Sequence, residues 1–391
     1  MKILQLCAKP PRPLVDGGCI AMNAMSVGLA SLGHEIHTIA IKTDKHPGSK
    51  ELAEMLRDEI ASYEEVYVDT RVKTFGALVS LISGTSYNIS RFESDEVKAA
   101  IASKFANEKF DYVILESLFM MPYLKTIRKI SKSKVILRAH NVEHRIWEGL
   151  TEDAKGGLKG WYLKVLTGQM KEYEVSHLNE VDAILPIAQE DEELFREFGA
   201  EIPMSVTPFG MEFKDSIEQP KVDHVIHFGS MDWKPNQDGV RWLVDEVWPI
   251  VRKEKSNARL VLAGRHMPVE LKSDHSTGIE VIGEIDDAWE FLQRPAIMTI
   301  PVHSGSGMRI KAIEGMSAGR PLVSTTIGAA GLGVTHGVNA LIADTASEFA
   351  EAIIQLLDTD NNIGSDGNQY VRNRFSLHYI NNHLSDFLDT I

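Results

Sequence analysis

The run from Pro301 to Thr325 limits this chain more than any other stretch. It reads as a strand ending over Met298–Val302, a glycine turn, a helix and a second strand. Gly305 and Gly307 allow a turn whose backbone can approach a ligand closely. The following helix starts with free N–H groups, and such a terminus attracts anions. Arg309 and Lys311 are expected in its first turn, where they add positive charge. Lys311 and Glu314 are three residues apart and share a helix face. Gly319 closes the helix as a C′ glycine, and the next strand follows. A cation beside the turn and a carboxylate one turn deeper suit a nucleoside diphosphate. The cation meets the phosphates and the carboxylate accepts from the ribose hydroxyls. A glycine turn before an ordinary amphipathic helix is the plainer reading. Position favours a site, because α/β units bind ligands at the carboxyl ends of their strands.

The rest of the chain agrees with that class. Its 391 residues suit two domains, and 43% hydrophobic with 25% charged residues is normal for a globular protein. A net charge of −14 argues against nucleic acid as a partner. Cys7 and Cys19 form neither a disulfide framework nor a metal-ligand pattern and read as reduced, buried thiols. The apolar run at the N-terminus is too short for a signal peptide, and no run is long enough for a membrane span. The expected location is the cytoplasm.

Lys2–Ala8 reads as the first strand, and Pro10, Pro11 and Pro13 then force a loop that ends in Gly17-Gly18. A helix over Ile20–Leu32 and a strand over Ile36–Ile41 complete a βαβ opening without G-x-G-x-x-G. Helices are expected over Glu51–Ser62, Val97–Asn107, Met120–Ile130 and Glu152–Leu178, with strands over Tyr112–Glu116 and Lys134–Arg138. His140, Asn141, Glu143 and His144 follow the last of these strands. His140 has two readings: it positions or deprotonates an acceptor hydroxyl, or it caps the next helix with Asn141. Lysines and large apolar residues over Glu152–Leu178 suit either peripheral contact with an anionic membrane or ordinary packing on the sheet. A strand over Val181–Leu185 and another from Val206 precede a polar linker at Lys214–Asp223. Strands at His224–Gly229, Ala258–Ala263 and Ile279–Ile282 follow, with a helix over Gly239–Arg252.

These motifs resemble family 4 glycosyltransferases, retaining enzymes of the GT-B fold. Many members carry Glu-Gly-Phe-Gly, a helix and a second Glu. Glu314 stands at the second Glu, and Ser306 occupies the place of the first. One branch carries Gly-x-Gly-Thr-Arg-x-Lys-x-x-Glu-Ala-Met-Ala-x-Gly. Gly305–Gly319 is similar to it, with Met308 for Thr and Gly315 for Ala.

The resemblance implies two Rossmann-like domains facing across a cleft. The expected bounds are 1–215 for the acceptor-side domain and 216–367 for the nucleotide-sugar domain, with a helix over 368–391 crossing back to the first. It implies that Gly17, Gly18, Gly229, Lys234, Gly264, Ile285 and the loop Ser304, Gly305, Ser306, Gly307 and Met308 line the donor. His140, Arg309, Lys311 and Glu314 would carry the chemistry, with Asn141 and Glu143 on the acceptor side. The implied reaction moves a sugar from a nucleotide sugar to a glycan, lipid-linked or small-molecule hydroxyl with retention, the departing phosphate taking the proton. No Asp-x-Asp pair stands in a suitable turn, so neither metal nor cofactor is expected. A nucleotide-sugar epimerase and a non-catalytic nucleotide-binding protein are the alternatives. Base, sugar, acceptor and oligomeric state are not encoded in these motifs.

Overall fold

Strands apolar on both faces need cover on both sides, which parallel sheets obtain from their crossover helices. The computed structural model describes residues 1–14, 16–72, 80, 86–153, 157–215, 222, 224–305, 307–359 and 361–391. It contains two six-stranded sheets, one in each of two units. Met1–Met211 with Leu377–Ile391 form the first unit, and Glu212–Ser376 the second.

In the first unit β1 (Lys2–Cys7), β2 (Glu35–Lys42), β3 (Ser62–Tyr67), β4 (Tyr112–Glu116), β5 (Lys134–Ala139) and β6 (Ala183–Pro186) are parallel, in the order β3-β2-β1-β4-β5-β6. Leu4 and Leu6 of β1 pack on one face with Val113, Leu115, Val135 and Leu137. Ile3 and Cys7 pack on the other with Ile114, Ile136 and the helix Gly17–Ser31. The second unit repeats the plan. Its strands β7 (His224–Phe228), β8 (Arg259–Ala263), β9 (Ile279–Gly283), β10 (Ala296–Ile300), β11 (Leu322–Ser324) and β12 (Leu341–Ile342) lie in the order β12-β11-β10-β7-β8-β9. Each chain path starts mid-sheet, runs to one edge, then returns to the other side of its starting strand. That places a topological switch between β1 and β4, and another between β7 and β10. Doubly wound sheets open a ligand crevice at such a point.

Several elements differ from the sequence reading. β3 falls where the Glu51–Ser62 helix was expected to end; this helix stops at Glu59. β3 is an edge strand with Tyr63 as its buried residue, so its pattern is mostly polar. Pro122 sits in a 3-10 turn over Leu118–Tyr123, and the α-helix follows at Leu124–Ile130. The expected helix over Glu152–Leu178 is found at Gly157–His177, and a separate helix over Glu143–Asp153 precedes it. The stretch from Val206 is not a strand. Met204 bridges Ile184, and Ser205 and Thr207 donate backbone bonds to Ile184 and Pro186, where the pairing ends at Pro208.

The unit boundary lies at Met211/Glu212, four residues before the expected 215/216 division. The last segment divides later than expected, at Ser376/Leu377 rather than at 367/368. A helix over Ile363–Phe375 belongs to the second unit, with Gly367 against Met316 and the Asn368 amide donating to the Ser317 carbonyl. Only Leu377–Thr390 packs on the first unit. Asn381 lies over Gly28, His34 and Ser385 are 3.1 Å apart, and Tyr112 Oη donates to the Leu388 carbonyl at 2.6 Å. No helix among the described residues is long and apolar enough to cross a membrane.

Gly239 sits inside the helix Lys234–Trp242, and a Cβ there would lie 2.3 Å from the Pro301 carbonyl oxygen. Helix propensity favours alanine by about 1 kcal/mol, whereas forcing backbone apart costs about 1–3 kcal/mol. Gly239→Ala is therefore expected to lower the thermal midpoint of the second unit by roughly 2–8 °C; a rise on calorimetry would show that the close approach is not binding.

Candidate functional site

The second-unit switch gathers polar groups around three strand ends. Gly229 follows β7, and its N–H donates to the Ala263 carbonyl at 3.1 Å. Gly264 follows β8 with φ +147°, and its N–H donates to the Gly283 carbonyl at 2.7 Å. A Cβ on Gly264 would fall 1.8 Å from the Gly229 carbonyl oxygen, so only glycine fits there. Lys311 reaches across to this point from after β10. Its Nζ donates to the Phe228 carbonyl and to Asn236 Oδ1, both at 3.0 Å. Asn236 is fixed in turn by its Nδ2 bond to the Ser230 carbonyl at 2.8 Å. A Cβ on Gly229 would lie 2.8 Å from Lys311 Nζ. The ammonium is therefore held by neutral acceptors over an uncovered glycine backbone. Burial, with Arg309 nearby, lowers its pKa to about 7.

The glycine turn has its own brace. Gly305 (φ +94°) and Gly307 (φ +86°) take left-handed conformations. Trp233 packs against Gly305, where a Cβ would sit 2.6 Å from the ring. The Arg309 guanidinium lies 4.7 Å from the Trp233 ring centroid and donates to the Gly305 carbonyl at 3.0 Å. The helix begins at Ile310, so Arg309 is its N-cap residue with extended backbone, not a first-turn residue as the sequence suggested. Burial lowers the Arg309 pKa to about 10.

The other donor-side candidates are spread around this centre. Glu314 is half-buried on the Lys311 helix, and burial, then the charge of Asp287, raises its pKa. Lys234 heads its helix with a side chain 67% exposed and pairs with Asp238 four residues on. Ser304 and Gly307 are exposed, and Met308 and Ile285 half-buried. Ser306 lies outside the described residues.

In the first unit Gly17 and Gly18 open the helix after β1, with Asp16 as N-cap accepting from Cys19 N–H and paired with Lys9 at 2.6 Å. A Cβ on Gly18 would meet Lys9 Nζ at 3.1 Å. His140 follows β5, and its Nε2 lies 2.7 Å from Glu116 Oε2 at the end of β4. Asn141 is half-buried beside it. His140 and Asn141 do not cap the next helix. The N–H groups of Glu143 and His144 donate to the Glu174 carboxylate at 2.9 and 3.0 Å, and His144 Nδ1 lies 2.6 Å from it. Glu143 is buried, and burial with Glu174 and Asp191 nearby, against the opposing charge of Lys9, raises its pKa to about 8. Asp191 is likewise raised to about 6, by burial and then Glu190 and Glu174.

The sequence reading did not single out Glu116, Arg138, Trp233 or the Lys311-binding role of Asn236. The available signals were a charged residue at or next to the end of each of two apolar strands and a tryptophan five residues past a strand end. Among the described residues, Glu35, His37 and Glu108 have metal-ligand proximity, but they lie at the amino ends of strands and Lys2 bridges both carboxylates at 2.7 Å.

Glu143 sets an expected pH dependence. Its carboxyl is held near 8 in the fold and near 4.5 in a free chain, so the folded protein keeps an extra proton between these values. Stability should therefore fall as pH rises from about 4.5 to about 8, then level off. Glu143→Gln should flatten that slope between about pH 6 and 8, above the Asp191 titration, and raise the midpoint at pH 8 by a few degrees, measured as Tm against pH.

Residues 222–359 match a family model described as glycosyl transferases group 1. An uncharacterized 44.6 kDa protein in the cps region of Klebsiella pneumoniae is 26% identical over 370 residues, covering 90% of each chain. An uncharacterized glycosyltransferase of Methanocaldococcus jannaschii is 25% identical over 144 residues, 34% of this chain and 40% of its own. Among solved structures, Anabaena HepE in complex with UDP superposes with TM-score 0.67 at 14% identity over all of both chains. Sucrose-phosphate synthase from Thermosynechococcus elongatus gives 0.65 at 12% identity, covering 100% of this chain and 99% of its own. The fold is GT-B, and with a group 1 domain in its second unit the chain is a glycosyltransferase.

Proposed function

We propose that this protein transfers a sugar from a nucleoside diphosphate sugar to an acceptor hydroxyl, with retention and without a metal. One observation carries the reading: Lys311 is held by neutral acceptors beside the strand-end Gly229. An ammonium has three donors, and Phe228 and Asn236 take two. The third hydrogen and the uncancelled charge suit a diphosphate oxygen beside Gly229 and Gly264. The charge grows on that oxygen as the sugar leaves, so a preorganised cation there stabilises the transition state more than the bound donor. Arg309 adds positive potential and braces the turn through the Gly305 carbonyl. Glu314, one turn along from Lys311, is assigned to the ribose hydroxyls.

Related folds bound to UDP make UDP the first nucleotide to test, and the donor-motif likeness to family 4 enzymes supports retention. The acceptor is assigned to the first unit, at the strand ends that carry Gly17, Gly18, His140 and Glu143. Metal independence follows from Lys311 and Arg309 supplying the positive charge, and turnover should persist in EDTA.

UDP should raise the melting temperature of the wild-type protein. Lys311→Met should weaken UDP binding by about 10²-fold or more, as expected for a charge-assisted contact of about 3 kcal/mol. Phosphate binding favours protonated Lys311, and the free side chain loses its proton near pH 7. UDP affinity should therefore fall between pH 7 and 9 in wild type and stay flat in Lys311→Met, by calorimetric titration. No shift with UDP or any other nucleoside diphosphate would refute the reading.

A further inference from the structure

The first unit carries a groove of about 960 Å³ that no step of the proposed reaction uses, a volume within the range of small-ligand sites. Three pieces of chain frame it: the short helix Tyr87–Ser90, the segment Leu118–Ile130 and the last turns of the helix Gly157–His177. Pro122 interrupts the second piece, so a 3-10 turn meets an α-helix there instead of one straight rod. The walls are tied in place. Tyr123 Oη donates to the Phe92 carbonyl and accepts from the Ser94 N–H at 3.1 Å. Arg128 Nη2 donates to the Glu180 carbonyl at 3.1 Å and pairs with Asp182 at 2.8 Å. Ile89, Met121 and Leu124 supply the buried apolar part of the lining.

The chemistry of the lining narrows the ligand. Glu93 pairs with Lys98 at 2.6 Å, Arg128 with Asp182, and Glu180 lies 3.9 Å from His177 Nε2. Lys125 and Glu172, one of each sign, have no such partner among the described residues. The groove therefore offers no excess positive charge to a phosphate. Tyr173 and His177 are half-buried and stacked, with ring centroids 4.1 Å apart and 25° between the planes. The Tyr173 hydroxyl has no hydrogen-bond partner among the described residues. Burial, then the charges of Glu180 and Glu93, raises its pKa, so it stays a phenol that can donate. An acyl chain or an apolar helix in the groove would leave Lys125, Glu172 and this hydroxyl dry and unsatisfied. A neutral sugar chain would not, because its C–H faces can lie on aromatic rings while its hydroxyls both donate and accept.

We propose that this groove is a carbohydrate site for the body of the acceptor, a neutral oligosaccharide chain held apart from its reacting hydroxyl. The inference rests on the glycosyltransferase reading and narrows its acceptor from any hydroxyl to a glycan of several residues. Two observations give the site its length and place. From Gln169 to His177 the helix rises about 12 Å, longer than one sugar ring. The lining starts at Met121 and Pro122, in the 3-10 turn that follows β4, and ends at Glu180, before β6. Along the chain, that start is a single turn from the strand ends assigned to the acceptor. Walls tied in advance have little left to order when a chain binds.

The test is an NMR titration of the full-length protein with maltotetraose, cellotetraose, mannotetraose and galactotetraose. At least one should bind with a Kd at or below about 1 mM, and about tenfold or more tightly than its monosaccharide. Ser90 and Ser176 are exposed residues of the lining, so Ser90→Trp and Ser176→Trp put a ring into the groove without disturbing the core. Each should weaken binding of that tetrasaccharide by about tenfold or more and leave the Kd for UDP within about twofold. Binding by none of the four sugars, or binding that survives both tryptophans, overturns the proposal. A tetrasaccharide held in the groove of a protein that does not bind UDP would remove the transferase reading and leave the carbohydrate site standing.

Discussion

A cation with no carboxylate partner among the described residues is the constraint on which the second unit depends. Lys311 could have been stabilised by a carboxylate, as Lys234 is by Asp238. A carboxylate would also have cancelled the charge that a phosphate needs. Carbonyl and amide oxygens fix the ammonium without neutralising it, and the cost appears as a proton held only to about pH 7. Gly229 and Gly264 follow from the same requirement. Side chains there would strike Lys311, Asn236 and the neighbouring backbone, so the uncovered main chain and the uncancelled charge form one device.

The first unit uses the same strand order for a different electrostatic purpose. Its cation, Arg138, is buried and faces Glu116, whose Oε2 also meets His140 Nε2. Register explains how. Cys7 pairs with Glu116 and Glu116 with Arg138, so every second residue on β1, β4 and β5 points toward the helix Gly17–Ser31. Gln5, two residues before Cys7, therefore lands on the same face and bonds Glu116 from the side. The two switch points thus differ: a cation held by neutral acceptors in one unit, a buried ion pair with a histidine beside it in the other.

Much of this was legible in the sequence because period and punctuation are local. Apolar runs gave the central strands nearly to the residue, as at Tyr112–Glu116, and the glycines marked their carboxyl ends. Elements shaped by tertiary context were not legible. β3 is a polar edge strand, the segment from Val206 pairs only briefly beside β6, and the helix Glu143–Asp153 ahead of Gly157–His177 was not expected. Glu116 was missed for a related reason. At the end of an apolar strand a charged residue reads as the point where solvent begins, and only the register with Arg138 and the reach of His140 show that it is enclosed. His140 itself was left between two roles by the sequence, and the capping role falls to Glu174, thirty-one residues beyond the helix start.

The glycine turn divides its two cations in a way that charge counting could not reveal. Both were read as first-turn phosphate ligands. Arg309 instead stands one residue before the helix, folds back on the Gly305 carbonyl and covers Trp233. Its planar guanidinium suits that work, since it can donate in plane while stacking on a ring. Lys311, a point charge on a flexible stem, suits the opposite task of reaching between strands to a spherical target. The left-handed backbone at Gly305 leaves room for Trp233, Trp233 supports Arg309, and Arg309 closes the turn on Gly305. Rigidity of that closed loop places the start of the helix, and the start of the helix places Lys311 one residue further on. Arg309 thereby acts on a bound phosphate through geometry as well as through its field, which is why exchanging the two cations would preserve the net charge and lose the site.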